Sequence, residues 1–194
     1  MKEKFTLRNV VIWGAAFLGL LFFFLSFAAK AQVYGQAEGG QGAYVVKNAF
    51  WSCNFLEFRL NDNYVAGFSV TGKPFALPLI GMILLLVAVV GAVVVSLLIK
   101  DNKLSKILLI ACGGVAVVGG VFIFFVGESA FRTFVYEAFG QTGLDHLEEV
   151  RAEMKGNGWH EGPRALSVII GVVAILAGCA FGVAPFLPEK KLVK

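Results

Sequence analysis

Four long stretches without a charged residue constrain the fold of this 194-residue chain more than any other feature. None of them contains Asp, Glu, Lys, Arg or His, and they run from Val10 to Ala29, Phe75 to Ile99, Ile107 to Val126 and Ala165 to Leu187. A helix of about 20 apolar residues crosses the hydrocarbon core of a bilayer, which is about 30 Å thick. The sequence therefore predicts one tetraspan membrane domain over residues 1–194.

The composition agrees with this interpretation. Hydrophobic residues make up 58% of the chain and charged residues only 15%, whereas a soluble domain has about 45–50% apolar and about 25% charged residues. The richness in Leu, Ile, Val and Phe excludes an intrinsically disordered chain. Three cysteines are too few for a disulfide-stabilised secreted miniprotein.

Basic residues near the ends of the apolar stretches predict the orientation, because short cytoplasmic segments retain positive charge. Nine of the seventeen basic residues lie in the two tails and in the short turn after the second stretch: Lys2, Lys4, Arg8, Lys100, Lys103, Lys106, Lys190, Lys191 and Lys194. We expect a multi-pass plasma-membrane protein with cytoplasmic N- and C-termini and with outer loops over residues 30–74 and 127–164. The net charge of +4 belongs to these flanks, so no nucleic-acid partner is predicted.

Cleavage of the first stretch is an alternative. Ala29-Lys30-Ala31 resembles the small-x-small site of a signal peptide. However, the apolar run of twenty residues exceeds the usual signal-peptide core of about 7–15 residues, which favours a retained span.

Small side chains at intervals of four residues predict where the helices pack. Residues four apart share a helix face, and small residues let membrane helices approach closely. The predicted packing positions are Ala88, Ala92, Ser96, Cys112, Ala116, Gly120, Ala174, Gly178 and Gly182, with a pair at Ala15 and Gly19 in the first stretch. The alternative is that such series arise by chance, because alanine and glycine are abundant in membrane helices, and packing is favoured more in the third and fourth stretches than in the first two.

The first outer loop predicts a small antiparallel sheet of two or three strands. Leu56, Phe58 and Leu60 alternate with polar residues, as in a half-buried strand. Asn61-Asp62-Asn63 provides a turn, and the run from Tyr64 to Thr71 is rich in residues that favour strands. The glycine-rich stretch from Gly35 to Gly42 is expected to be flexible.

The second outer loop predicts two amphipathic helices separated near Gly140–Gly143. Apolar residues fall on one helical face in each segment: Phe131, Phe134, Val135, Ala138 and Phe139 in the first, and Leu144, Leu147, Val150 and Met154 in the second. The first helix either covers the sheet or lies in the headgroup region. The predicted fold class is mainly α, a four-transmembrane-helix bundle with a small extracellular α+β cap.

The sequence contains little that indicates catalysis. His146 and Glu149 lie three residues apart on a predicted helix, a spacing that could hold a divalent cation, but a solvated helix face has the same residues. Cys53 is the only cysteine in a loop, so no disulfide within the chain is predicted. We predict no enzymatic activity, no cofactor and no bound metal.

Phe50-Trp51-Ser52-Cys53 in the first outer loop, together with four spans, resembles the claudin-type tetraspans at the level of topology. That family has a Trp and a pair of cysteines in this loop, whereas this chain has one cysteine there. As a whole, the chain is similar in pattern to uncharacterised small four-span membrane proteins of Gram-positive bacteria.

These features favour a non-enzymatic accessory or interaction subunit that contacts a membrane-protein partner, or a second copy of itself, through its cap. The predicted contact residues are the loop aromatics Trp51, Phe55, Tyr64, Phe134 and Trp159, which could equally form the small core of the cap. Two alternatives are a subunit of a small-solute transporter or oligomeric channel, and a membrane enzyme acting at the outer surface.

Overall fold

The computed structural model describes residues 6–51, 53–71, 75–99 and 102–188, and the side chains of residues 53–55, 68, 70, 71 and 102 lie outside that description. The described helices are α1 (Leu7–Leu25), α2 (Leu77–Leu98), α3 (Asn102–Ile123), α4 (Val126–Asp145), α5 (Leu147–Gly156) and α6 (Ala165–Val183). Short 3-10 turns, Ser26–Ala28 and Ala184–Phe186, follow α1 and α6. The described strands are β1 (Lys30–Ala37), β2 (Gly40–Lys47), β3 (Cys53–Leu60), β4 (Asn63–Thr71) and β5 (His160–Pro163).

Four helical segments are long and apolar enough to cross a membrane: Leu7–Ala28, Leu77–Leu98, Lys103–Ile123 and Ala165–Phe186. The prediction of four such helices is confirmed. The third was expected to reach Val126, but α3 ends at Ile123 and α4 begins at Val126. Apolarity alone hides this boundary, because Phe124 and Phe125 in the junction are as apolar as the helix itself.

The chain divides into two compact units. The helical unit consists of Met1–Phe24, Gly81–Val121 and Ile170–Lys194, and the sheet unit consists of Leu25–Ile80 and Phe122–Ile169. The description as one tetraspan domain stays a prediction.

Helices α3 and α6 approach each other closely within the helical unit. A methyl group added to Gly113 would lie 2.7 Å from the carbonyl oxygen of Gly178, and one added to Gly120 would lie 2.6 Å from the Ile175 side chain. On another side of α3, a methyl group on Gly119 would lie 2.8 Å from the carbonyl oxygen of Gly81 at the start of α2. Glycine is therefore required at these backbone contacts.

The predicted packing positions divide by burial. Ala88, Ala92, Ala116, Gly120, Ala174 and Gly178 are buried, whereas Ser96, Cys112 and Gly182 are half-buried. Two closely packed glycines, Gly113 and Gly119, lie outside the predicted four-residue series. The series missed them because α3 contacts two helices, so its small residues occupy more than one face.

The sheet has five antiparallel strands in the order β4-β3-β2-β1-β5, so the prediction of two or three strands was wrong. The stretch Gly35–Gly42, expected to be a flexible loop, instead forms the paired ends of β1 and β2 and the turn at Glu38 and Gly39 between them. The predicted turn between β3 and β4 is present. Asn61 and Asp62 both have positive φ, 48° and 64°, which suits Asn and Asp in a two-residue hairpin turn.

Helix α4 packs on β1, β2 and β5, so it covers the sheet, as one of the two interpretations expected. Its helical conformation is interrupted at Gly140, where φ is 67° and ψ is −155°, close to the predicted break. The second helix was expected to begin at Leu144, but α4 continues to Asp145 and α5 begins at Leu147.

Candidate functional site

An aromatic cluster fills the space between the sheet and α4. The ring centroid of Tyr44 lies 4.6 Å from that of Phe134 on α4, 4.9 Å from that of Phe58 on β3 and 5.7 Å from that of Trp159. A methyl group on Gly35 would lie 2.7 Å from the Trp159 ring, so this strand glycine makes room for the indole. Phe134 is buried and Trp159 half-buried, and both pack within the sheet unit.

The other predicted contact residues lie elsewhere. The Trp51 indole stacks on Phe27, with ring centroids 4.5 Å apart, and its Nε1 donates a 3.0 Å hydrogen bond to the Ser26 hydroxyl. Tyr64 is 59% exposed on β4. The Phe55 side chain lies outside the described residues. The structure therefore brings Phe134 and Trp159 together around Tyr44, but places Trp51 and Tyr64 apart from that cluster.

The two edge strands of the sheet differ in their chemistry. Strand β5 has four residues, which include His160, Glu161 and Pro163, and these are features that protect a sheet edge from further pairing. Strand β4 has nine residues, Asn63–Thr71, with no charged residue and no proline. Its one protective feature is a register shift opposite Phe58 and Arg59. The backbone from Ala66 to Thr71 thus forms a regular, uncharged edge.

A polar cleft of about 670 Å³ lies on the sheet unit. Its lining includes Gln32, Tyr34, Gln36, Gln41, Asp62 and Arg164. The strand register places the β1 and β2 members of this set on one face of the sheet, because Tyr34 pairs with Ala43 and Gln36 pairs with Gln41. Tyr44, which contacts α4, alternates with Ala43 and therefore points to the opposite face.

Two charged residues lie at different ends of this polar cleft. The Arg164 backbone N–H donates to the Lys30 carbonyl at the start of β1, and its Nε donates a 2.7 Å hydrogen bond to Gln32 Oε1. Asp62 lies in the β3–β4 turn, at the other end of the strands. Among the described residues, neither Arg164 nor Asp62 has an ion-pair partner.

Three charged residues form an ion-pair group on the same face of the sheet. Glu57 is 4% exposed, and its carboxylate lies 2.5 Å from Lys47 Nζ and 3.1 Å from Arg59 Nη2. The hydrogen bond from Lys47 is the largest of the effects that hold the pKa of Glu57 below its ordinary value. The carboxylate is therefore ionised at neutral pH despite its burial.

Arg151 connects α5 to α4 and β5. Its guanidinium pairs with Glu128 on α4, lies 3.5 Å from Glu161 on β5, and stacks over the Phe131 ring at 4.8 Å. The Arg151 side chain is 17% exposed, so these contacts are partly shielded from water. This group has no signal in the sequence, because its members lie on three separate elements.

His146 and Glu149, whose spacing could hold a divalent cation, are both exposed. His146 Nδ1 lies 3.2 Å from Glu149 Oε2, with side chains 59% and 81% exposed. His160 and Glu161 lie on β5. The described residues contain no group of three or more His, Cys, Asp or Glu side chains arranged to hold a metal ion.

The polar cleft had a signal in the sequence, since Gln32, Tyr34 and Gln36 alternate as they would on one face of a strand. The glycines that follow them masked it, because a glycine-rich stretch is typical of a flexible loop.

No protein-family model, curated protein or solved structure matches this chain.

Proposed function

We propose that this protein is a non-enzymatic integral plasma-membrane subunit whose sheet unit lies outside the cell and binds another polypeptide. The partner is a membrane protein or a second copy of the chain. Both termini lie in the cytoplasm in this proposal, as the distribution of basic residues predicts.

The open edge of β4 is the observation that carries the proposal. A strand at a sheet edge presents unpaired N–H and C=O groups that can bind a strand of another polypeptide. The contrast with β5 supports this role, because a short strand with charges and a proline protects one edge of the same sheet while β4 lacks both kinds of residue. Val65 and Tyr64 add exposed apolar surface next to this edge.

The transporter or channel alternative gains no comparable support from the described residues. A crevice of about 190 Å³ between α1 and α6 is lined by apolar side chains, among them Val11, Leu18 and Val173. An apolar crevice provides no polar path for a solute, and intramembrane ionisable groups are the usual mark of coupled transport.

Charge placed on the β4 edge tests the proposal. Ser69 is exposed, and a lysine there disfavours strand addition. We expect Ser69→Lys to remove most of the complex that is captured by crosslinking in intact membranes with a photoreactive amino acid at position 65. The matched control is Ala152→Lys, at an exposed position of α5. An unchanged crosslinked species in Ser69→Lys, or the absence of any crosslinked species in the parent chain, would contradict the proposal.

Cysteine labelling tests the orientation separately. Glu153 on α5 and Lys106 on α3 are both exposed, and the proposal places them on opposite sides of the membrane. In a Cys53→Ser background, an impermeant maleimide should label Glu153→Cys in intact cells and label Lys106→Cys only after permeabilisation. The reverse pattern would place the sheet unit in the cytoplasm.

A further inference from the structure

We propose that the polar cleft binds an extended peptide, with a carboxylate of the peptide at Arg164 and an amino group at Asp62. This site is formed by different residues from the β4 edge, so the inference goes beyond the proposed function and can be tested independently of it.

The charges of the polar cleft are complementary to those of a peptide with free termini. The two charges of the cleft have opposite sign and are located at different ends of the strands, and neither forms an ion pair with a described residue. Arg59 donates a 3.4 Å hydrogen bond to the Asp62 backbone carbonyl, but its ion pair is with Glu57. A ligand with one positive and one negative end satisfies both groups. A polyanion such as a nucleic acid would place negative charge against Asp62.

The separation of the two charges matches a short extended peptide. Four to five residues of β1 separate the level of Gln32, beside Arg164, from the hairpin turns, and a strand rises about 3.3–3.4 Å per residue. The distance along the strands is therefore about 15 Å, and the β3–β4 turn lies two to three strand spacings of about 4.8 Å to the side of β1. The two charges are thus about 19 Å apart, which an extended peptide of about six residues spans. The cleft volume of about 670 Å³ lies in the range of known ligand pockets, about 300–1,000 Å³.

The side chains between the two charges suit a peptide backbone. Gln36 and Gln41 are exposed, and each side-chain amide offers a donor and an acceptor, the same pair that every peptide group carries. The Tyr34 ring is 42% exposed and lies 6.0 Å from the His160 ring. It provides a flat surface for one side chain of the peptide. A neutral oligosaccharide could use the amides but would leave both charges unused.

Calorimetric titration of the full-length protein in detergent micelles tests the inference. The probe is a hexapeptide of Ser and Thr with free termini, compared with the same peptide after acetylation and amidation and with a pentamer of N-acetylglucosamine. We expect the free peptide to bind saturably, and the doubly capped peptide to bind about tenfold or more weakly, the loss typical of one or two charge-assisted hydrogen bonds.

Peptides with one blocked end, tested against single substitutions in the protein, then show which residue binds each end of the peptide. Asp62→Asn should weaken binding of the free peptide about tenfold, and should have no effect on a peptide acetylated at its amino end. Asn tolerates the positive φ of this turn position, so the hairpin is preserved. Arg164→Gln should likewise weaken binding of the free peptide about tenfold, and should have no effect on a peptide amidated at its carboxyl end. Arg164→Lys should restore part of the affinity.

The controls are Glu153→Gln and Lys155→Gln, which remove the same charges from exposed positions of α5. Both should leave peptide binding unchanged. The inference would be overturned by the absence of saturable binding at millimolar peptide, by equal affinity for free and capped peptides, or by tighter binding of the oligosaccharide.

Discussion

Arg8 Nη2 donates a 2.6 Å hydrogen bond to the hydroxyl of Ser105, and the two residues are 97 positions apart in the sequence. Arg8 lies in the first turn of α1 and Ser105 near the start of α3. Arg8 is 9% exposed and Ser105 is 2% exposed. This contact therefore joins the beginnings of two apolar helices through a buried polar pair.

Loss of the Ser105 hydroxyl should destabilise the helical unit. Ser105→Ala removes the acceptor but leaves the buried guanidinium in place, and an unmet hydrogen bond to a charged group costs about 1.5–3 kcal/mol. We expect a lower thermal-unfolding midpoint in detergent, measured by circular dichroism. Lys106→Ala, at the exposed neighbouring position, serves as the control, and equal midpoints for the two variants would show that the Arg8 contact contributes nothing.

Adjacent glycines on α3 provide a second comparison. A methyl group on Gly113 would lie 2.7 Å from the Gly178 carbonyl oxygen, whereas one on Gly114 meets no atom within 4 Å. Gly113→Ala should therefore force α3 and α6 apart and cost about 1–3 kcal/mol. Gly114→Ala should be neutral or stabilising by up to about 1 kcal/mol, because alanine favours the helix.

Thermal unfolding of the two alanine variants, side by side, measures this difference. Because both substitutions add the same methyl group to the same helix, helix propensity cancels in the comparison. If Gly113→Ala proves as stable as Gly114→Ala, α3 and α6 do not pack through this glycine.

The helical part of the fold could be predicted from the sequence because its cause is local. A run of about 20 apolar residues is sufficient for a span whatever surrounds it, and the absence of charge from Phe75 to Ile99 is visible without any tertiary information. The end of the third helix could not be found in this way. The chain turns between Ile123 and Val126 within a continuous apolar run, and composition does not change there.

The sheet was only partly predictable because its pairing is non-local. Leu56, Phe58 and Leu60 alternate clearly, but β5 has four residues and becomes a strand only by pairing with β1, more than 120 positions earlier. The glycines of β1 and β2 indicated flexibility in isolation. Glycine is required there because of a tertiary contact, since Gly35 and Gly42 accommodate the Trp159 ring. The polar cleft depends on the same pairing and was missed with it.

The ion pairs of Glu57 should make the stability of the sheet unit depend on pH. Lys47 and Arg59 lower the pKa of Glu57 in the folded state below the ordinary value of 4.5. The folded protein therefore holds this proton less tightly than the unfolded chain does. The contribution of the ion pairs to the free energy of unfolding is fully present above about pH 4.5 and is lost as the pH falls through the lowered pKa.

Unfolding experiments between pH 3 and pH 7 would measure this effect. Glu57→Gln should be less stable than the parent chain at pH 7, and the difference between the two should shrink with acidification. Glu153→Gln, at an exposed position, should track the parent chain over the whole range. A difference between Glu57→Gln and the parent chain that stays constant with pH would mean that the carboxylate charge makes no contribution.

Loss of the Arg151 side chain should destabilise the sheet unit. Its guanidinium pairs with Glu128, Glu148 and Glu161 and stacks on Phe131, so its removal leaves the partly buried Glu161 carboxylate without this cation. Breaking a buried ion pair by removing one partner costs about 3–5 kcal/mol, and Glu128 retains Arg132 at 2.6 Å, so we expect Arg151→Met to cost about 2–4 kcal/mol. Arg151→Lys should recover less than half of this loss, since lysine keeps the charge but lacks the planar fork that reaches several carboxylates.

Hydrogen exchange of the β5 amides measures this effect. Protection should fall in Arg151→Met and return partly in Arg151→Lys. Unchanged protection in both variants would show that α5 and β5 are held together without this residue.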